Sequence, residues 1–583
     1  LSRFVVLAAL LGSLVLASSV QGAVVISPLP GTPAAMPRTQ ISFLGAAATA
    51  LSQIQVVGSR SGHHSGHLRS YSSALGASFI LSKPFLANEH VRVSARLREG
   101  SKTVLLTTHF KVAAPVAVPL NEFPTTPGTA ADIQSFHSLP EIHPPTVTVH
   151  QAAGAASAPG YLFATPFLGP GQHGPMIFDS AGNLVWFRTL SGEQDAADLR
   201  TQVFYGKNDL TWWQGHTLQL GYGLGEDVIA DANYKTVAVV RAGNGLRADE
   251  HEFNLTPEGA AFVLAYSPVQ ANLTSAGGPA GGVAVEGVIQ EIDIHTGLVM
   301  WEWHSLGHVD PSESYSKLPA VPSTPYDYFH INSLVTDHEG NILISARNTW
   351  GLYEINGRSG AIIWRLGGKR SSFRLGPGVQ FAYQHNATWV GKNEIGLFDD
   401  EGAPPVAPPS RGELIKLDTK AKTATLVSQL VRTIAPLTTT SQGDVQALPG
   451  GGSMVGWGGL PNFTEFDAHG QIIYDAQLPA GENSYRVYRE PWAAQPLEAP
   501  ALSATTSGAT TTVYASWNGA TTLASWQLLA GSSIAHMNVV ASAPRSGFET
   551  TLNVAAAAFV QVRALSASGK VLATSKALAP SAG

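Results

Sequence analysis

The stretch HINSLVTDHEGNILISARNTWGLYEINGRSGAIIWRL, residues 330–366, reads as four short strands. His330 to Val335 is apolar and strand-like, and Asp337-His338-Glu339-Gly340 turns the chain. Asn341 to Arg347 returns, and Leu352 to Asn356 and Ala361 to Leu366 complete an antiparallel unit. The third strand ends in a phrase: two or three apolar residues, then Asp or Asn, then a tight turn. That phrase recurs at Asp179, Asp231, Asp293, Asn356, Asp418 and Asp467, with spacings of 52, 62, 63, 62 and 49 residues. Strands downstream carry Trp186, Trp301 and Trp364. A four-stranded sheet has two apolar faces to bury, and six of them stacked around an axis bury both. The expectation is a six-bladed β-propeller over residues 146–495. Either Ser484–Tyr488 or Thr146–His150 is expected to close the circle.

Working outward, residues 24–113 carry short alternating runs, such as Val91-Arg92-Val93-Ser94-Ala95, that predict an N-terminal immunoglobulin-like β-sandwich. Its histidines His63, His64 and His67 read as a solvated loop. Residues 114–145, rich in Pro, Thr and Ala, read as a linker or strap. Residues 500–583 predict a C-terminal immunoglobulin- or fibronectin-like sandwich, so the whole chain is expected to be all-β. Residues 1–23 read as a secretory signal peptide, with Arg3 ahead of an apolar Phe4–Leu16, and imply a secreted or periplasmic protein. No later segment is long and apolar enough to span a bilayer. The 583 residues include no cysteine, which excludes thiolate metal sites and cysteine catalysis. At 44% apolar and 13% charged the composition is globular, and the net charge of −6 is modest. We read the charges as unclustered and expect no nucleic-acid partner.

Three successive units open their first strand with histidine: His251, His330 and His385. In a propeller, the first strands of different blades face one another across the axis. Positions 79 and 55 residues apart therefore become neighbours. Arg347, one hairpin from His330, reaches the same mouth. Three histidines invite a metal, but an arginine beside them would repel a cation, and no Asp or Glu recurs at the matched positions. Histidines with an arginine suit a tetrahedral anion instead: the guanidinium grips two oxygens and a neutral imidazole attacks the central atom. The expectation is a sulfuryl or phosphoryl site with no metal and no cofactor. Asn332, Asn348 and Gln384 are candidates to orient the imidazoles. Trp213, Tyr383 and Trp350 are candidates to stack on a substrate ring.

Several segments in order, Asp249-Glu250-His251-Glu252-Phe253, Phe329-His330-Ile331-Asn332-Ser333, Ile344-Ser345-Ala346-Arg347-Asn348, Trp364-Arg365-Leu366-Gly367-Gly368-Lys369 and Tyr383-Gln384-His385-Asn386-Ala387, resemble the bacterial arylsulfotransferases. The resemblance covers roughly residues 140–495. It implies transfer of a sulfuryl group from an aryl sulfate to a phenol without a nucleotide donor. It also implies a sulfohistidine at His385, supported by His251, His330 and Arg347. The competing readings are a non-enzymatic propeller that binds a carbohydrate or protein, and a quinone-dependent dehydrogenase. The latter needs a metal-binding acidic set that the sequence does not display. Oligomeric state has no sequence signature here.

Overall fold

The computed structural model describes residues 24–583, so the expected signal peptide at 1–23 lies outside the described residues. The described chain is all-β, with helix confined to short 3-10 turns. Six sheets built on four antiparallel strands follow one another from residue 161 to 490. The fourth sheet is the one read first. It is Ile331–Thr336, Ile342–Ala346, Gly351–Ile355 and Ile362–Gly367, paired in sequence order. The first strands of the third, fifth and sixth sheets are Phe253–Leu255, His385–Gly391 and Asp444–Ala447.

The recurrent Asp or Asn has a physical role. Asp179 accepts from the N–H groups of Ala181 and Asn183, both at 2.9 Å, and Asp231 from those of Asn233 and Lys235. Asp293, Asn356, Asp418 and Asp467 likewise accept from backbone N–H groups two to four residues on. A short carboxylate or amide replaces the backbone partners that a tight turn leaves unpaired.

Apolar clusters join each sheet to the next. Phe163 and Val185 pack with Leu199 and Trp212, joining the first sheet to the second. Ile229 and Val240 meet Val263 and Ile292, and Leu264 and Ile289 meet Leu334 and Ile344. Leu343 and Leu366 then pack with Ile395 and Leu397, and Phe398 with Val455 and Phe466. Finally Phe463 and Tyr474 of the sixth sheet pack with Leu162 and Phe178 of the first, so the series is cyclic. Both segments considered for closure are used. Tyr488–Glu490 pairs with Tyr161–Ala164 in the first sheet, and Thr148–Gln151 pairs with Ile472–Gln477 in the sixth.

Two further pairs of sheets flank this cycle. In residues 25–111, Ile41, Phe43 and Phe79 of one sheet share a core with Val56, Val93 and Phe110 of the other. The first of these sheets docks on the third sheet of the cycle, where the hydroxyls of Ser42 and Ser78 both donate to the Val299 carbonyl. Residues 501–582 form a second such pair around Val513, Trp526 and Val562. Asn518 ties that pair to the first sheet through both backbone groups of Phe187, at 3.0 and 2.8 Å.

Candidate functional site

His385 opens the first strand of the fifth sheet, while His330 and His251 stand one and two residues ahead of the first strands of the fourth and third, and the fold brings all three together. The rings of His251 and His330 are 5.0 Å apart and perpendicular. Tyr485 lies edge-on to both His251, at 5.3 Å, and His385, at 6.4 Å. Its hydroxyl donates to the Asn332 carbonyl at 2.9 Å. Arg347 follows the second strand of the fourth sheet in a short turn, and its N–H donates to the His330 carbonyl at 2.8 Å. Its guanidinium lies over the Tyr383 ring at 4.8 Å and donates to the Thr440 carbonyl and the Asn348 side chain. The imidazoles are nearly closed to solvent, at 3, 7 and 1% exposure for His251, His330 and His385, and Arg347 is half-buried at their edge.

The backbone here is strained. His330, Trp350, Tyr383, Asn386 and Gln442 all have φ between 49° and 69°, in the left-handed region that side chains rarely adopt. Such residues collect where a structure over-determines a geometry for function.

Each imidazole is oriented by a carboxylate at Nδ1: His251 by Asp249 at 2.6 Å, His385 by Asp400 at 2.7 Å, and His330 by Asp327. Acidic residues therefore do accompany the histidines, at positions outside the matched set that the sequence reading compared. They bond to the rings rather than recur at equivalent strand positions. The three rings differ electrostatically. Burial disfavours the imidazolium at all of them. At His251 the Asp249 carboxylate overcomes burial and raises the pKa above the ordinary histidine value. At His330 burial prevails over Asp327, helped by the charges of His251 and Arg347, and the pKa falls. At His385 burial, then Arg347, His251 and His330, push the pKa well below the ordinary value.

The proton of the His385–Asp400 pair can be placed. The Gln442 N–H reaches Nε2 of His385 at 3.2 Å. A backbone N–H can only donate, so Nε2 presents its lone pair and Nδ1 carries the proton toward Asp400. Burial pushes the Asp400 carboxyl well up, which favours its neutral form. A neutral Asp400 would donate to Nδ1 and force the ring proton onto Nε2, against the Gln442 N–H. The hydrogen-bond geometry decides for the Nδ1–H tautomer.

The other expected residues are near, in different roles from those foreseen. Asn332 is fully buried and donates to the Gln384 carbonyl at 2.8 Å. The Gln384 amide bonds Ser345 and the carbonyls of Ala346 and Gly351. Both tie the fourth and fifth sheets together; the carboxylates, not these amides, orient the rings. Asn348 accepts from Arg347 and donates to the Asp327 carbonyl at 2.7 Å, so it fixes the arginine. Trp213 is buried, with its indole N–H on the Ala248 carbonyl at 3.0 Å, and packs against Ala197 and Tyr485. It is a wall residue with no face at the mouth. Trp350 is half-buried, stacked on Tyr315 at 3.8 Å and edge-on to Tyr383 at 5.2 Å.

Sequence reasoning missed Asp249, Asp327, Asp400, Gln442, Tyr485 and Arg486. Arg486 is wholly buried beneath the histidines. It donates to Asp198 at 3.0 Å, Glu252 at 2.9 Å and the His251 carbonyl at 3.0 Å. Arg200 balances the same two carboxylates. The near-adjacent Asp249 and Asp327 left a visible signal, two and three residues ahead of their histidines. Asp400 lies just past the end of the neighbouring strand Glu394–Asp399, 15 residues from its partner, and left none.

Carboxylate-oriented imidazoles, nearly closed to solvent and beside one arginine, are an arrangement chemically able to bind an oxyanionic group. Residues 200–478 match the family model described as arylsulfotransferase (ASST). Across that region the chain is similar to the arylsulfotransferases. No curated protein matches the chain in sequence. Among solved structures, a protein of unknown function from Bacteroides caccae aligns at 11% identity and TM-score 0.35, covering 57% of this chain and 98% of that one. A quinonprotein alcohol dehydrogenase-like protein from Bacteroides thetaiotaomicron aligns at 9% identity and TM-score 0.26, covering 79% and 96%. At these scores neither carries a functional argument.

Proposed function

We propose that the cycle of six sheets is a six-bladed propeller, flanked by two immunoglobulin-like sandwiches. Its histidine site moves a sulfuryl group from an aryl sulfate to a phenol through His385, without a nucleotide donor. The observation that carries this reading is the state of His385. Its Nδ1 is committed to Asp400, and its Nε2 holds a lone pair against a backbone N–H beside a guanidinium.

The steps follow from these groups. The sulfate of the donor lies among Arg347, His251 and His330. Nε2 of His385 forms an N–S bond in line as the aryl O–S bond breaks, and the departing phenolate takes the proton of the His251 imidazolium. The Gln442 N–H, released from Nε2, becomes a donor to the sulfuryl oxygens. In the second half an acceptor phenol returns its proton to His251. Its oxygen forms the new O–S bond, and the N–S bond breaks with its electron pair returning to Nε2. Positioning and charge stabilisation supply most of the rate, as in phosphoryl transfer, where little covalent chemistry falls to the protein. The low exposure of the rings means that Arg347 must give way for substrate to enter. The half-buried Trp350, three residues on from Arg347, offers the face not stacked on Tyr315 to the aryl ring.

Release of a coloured phenol from its sulfate ester tests the reading. We expect turnover that depends on an added acceptor phenol and is lost in His385→Ala. Binding of aryl sulfates without any turnover would favour a non-enzymatic propeller. Export through residues 1–23 belongs to the same proposal and is checked by N-terminal sequencing of the protein recovered outside the cytoplasm.

A further inference from the structure

The N-terminal segment has a charge of its own. Residues 24–113 hold nine Lys and Arg against two acids, a formal +7 on a chain whose total is −6. The whole-chain average hides this. One acid, Glu89, is buried and held by the N–H groups of Arg60, Ser61 and Leu86 and the hydroxyl of Ser61. The other, Glu99, ends its strand.

Five of the nine, Arg92, Arg96, Arg98, Lys102 and Lys111, stand on the strands of one sheet. Of the two N-terminal sheets, the one containing Ile41–Leu44 docks on the third sheet of the cycle through Ser42 and Ser78. The other, built on Leu51–Gly58, His90–Glu99 and Lys102–Lys111, turns its outer face away from that contact. Along His90–Glu99 burial alternates, so Arg92, Arg96 and Arg98 stand outward while Val91, Val93 and Leu97 enter the core. Across the strands, His63 pairs with Val57, Val57 with Arg92, and Arg92 with His109. The next row pairs His90 with Lys111. A groove of about 940 Å³ follows the row of His63, Val57, Arg92 and His109, with His90 beside it, and no carboxylate lines it. Between the cationic positions stand Gln55, Ser59, Ser94 and Thr107, which offer neutral hydrogen bonds. No exposed aromatic ring stands in the groove, since Phe110 points into the core.

We propose that this outer sheet face binds a linear anionic polysaccharide, with sulfate or carboxylate groups on the arginines and sugar hydroxyls on the polar side chains. Arg92 to Arg98 spans about 20 Å of extended strand, and neighbouring strands lie about 4.8 Å apart. That grid suits a chain with repeated charges rather than a single small anion. An arginine fork takes two oxygens of one oxyanion. Single-stranded nucleic acid binds on aromatic stacking platforms, and this face provides none. The inference is independent of the sulfuryl-transfer reading, because it uses none of His251, His330, His385 or Arg347 and is read by binding, not turnover.

The test is titration of the full-length protein with dextran sulfate, neutral dextran, a single-stranded DNA oligomer and anionic lipid vesicles. The expected result is salt-sensitive binding of dextran sulfate and none of dextran. The double variant Arg92→Glu, Arg96→Glu should bind about tenfold more weakly or worse. The double variant Lys570→Glu, Lys576→Glu, with the same net charge, should bind as the parent does. No binding of dextran sulfate, equal loss in both variants, or equally tight binding of the DNA or the vesicles would overturn the proposal.

Discussion

His385 is held at both ring nitrogens, and the two bonds have different consequences. The Asp400 bond fixes the tautomer, while the Gln442 N–H marks the lone pair that a substrate must take over. Replacing Asp400 with Asn presents an amide that can donate to Nδ1 and so favours the wrong tautomer. We expect kcat to fall by about a hundredfold or more with little change in melting temperature. Steady-state kinetics on the coloured ester, beside a thermal scan, checks this. The pH dependence follows from the opposite shifts of two rings. His385 acts as a neutral nucleophile, with its pKa pushed below the ordinary 6.5, so activity falls only as pH drops through that lowered value. His251 acts in its charged form, with its pKa raised above 6.5, so activity falls as pH rises through that value. The kcat/KM profile should be a bell bracketing pH 6.5, and Asp249→Asn should move its alkaline limb down. A profile whose alkaline limb ignores Asp249→Asn would contradict the assignment of His251 as the acid.

At the scale of the element, the recurrent Asp was legible because an Asp-capped turn must put its acceptor at a fixed place in the sequence. Asp231→Ala removes the acceptor for two N–H groups, of Asn233 and Lys235. It should cost about 1 kcal/mol, read as a lowered denaturant midpoint, while kcat/KM of the folded enzyme stays unchanged. The positions of His251, His330 and His385, at or just ahead of strand starts, were readable for the same reason: they repeat. What could not be read was pairing across the sheet. The carboxylate of Asp400 meets His385 only because the strand Glu394–Asp399 runs antiparallel to His385–Gly391. The closing strands, Tyr488–Glu490 and Thr148–Gln151, overlap the segments offered by the sequence, the first only at Tyr488. Each is short, and either could complete a sheet, so the choice of both depended on contacts far apart in the chain.

For the whole molecule, the first four sheets are tied together at the centre as well as through their faces. Arg486, next to the closing strand Tyr488–Glu490, reaches Asp198 of the second sheet, the His251–Glu252 segment ahead of the third and the Asn332 carbonyl of the fourth. Arg486→Leu leaves Asp198 and Glu252 buried with only Arg200 between them. The loss should be about 3–5 kcal/mol, measured by chemical denaturation. An unchanged midpoint would show that the sheets close without this charge network. A sequence displays such an arginine only as one residue in a strand; its meaning depends on closure of the cycle. Closure also carries the central claim, since it brings His385 from the fifth sheet to His251 of the third. That claim is tested most directly by incubating the protein with an aryl sulfate in the absence of acceptor, quenching at alkaline pH, and mapping the peptides by mass spectrometry. The account predicts one SO3 group on the peptide containing His385, discharged on adding a phenol. Undiminished turnover with no adduct on His385, or turnover surviving in His385→Ala, would contradict it.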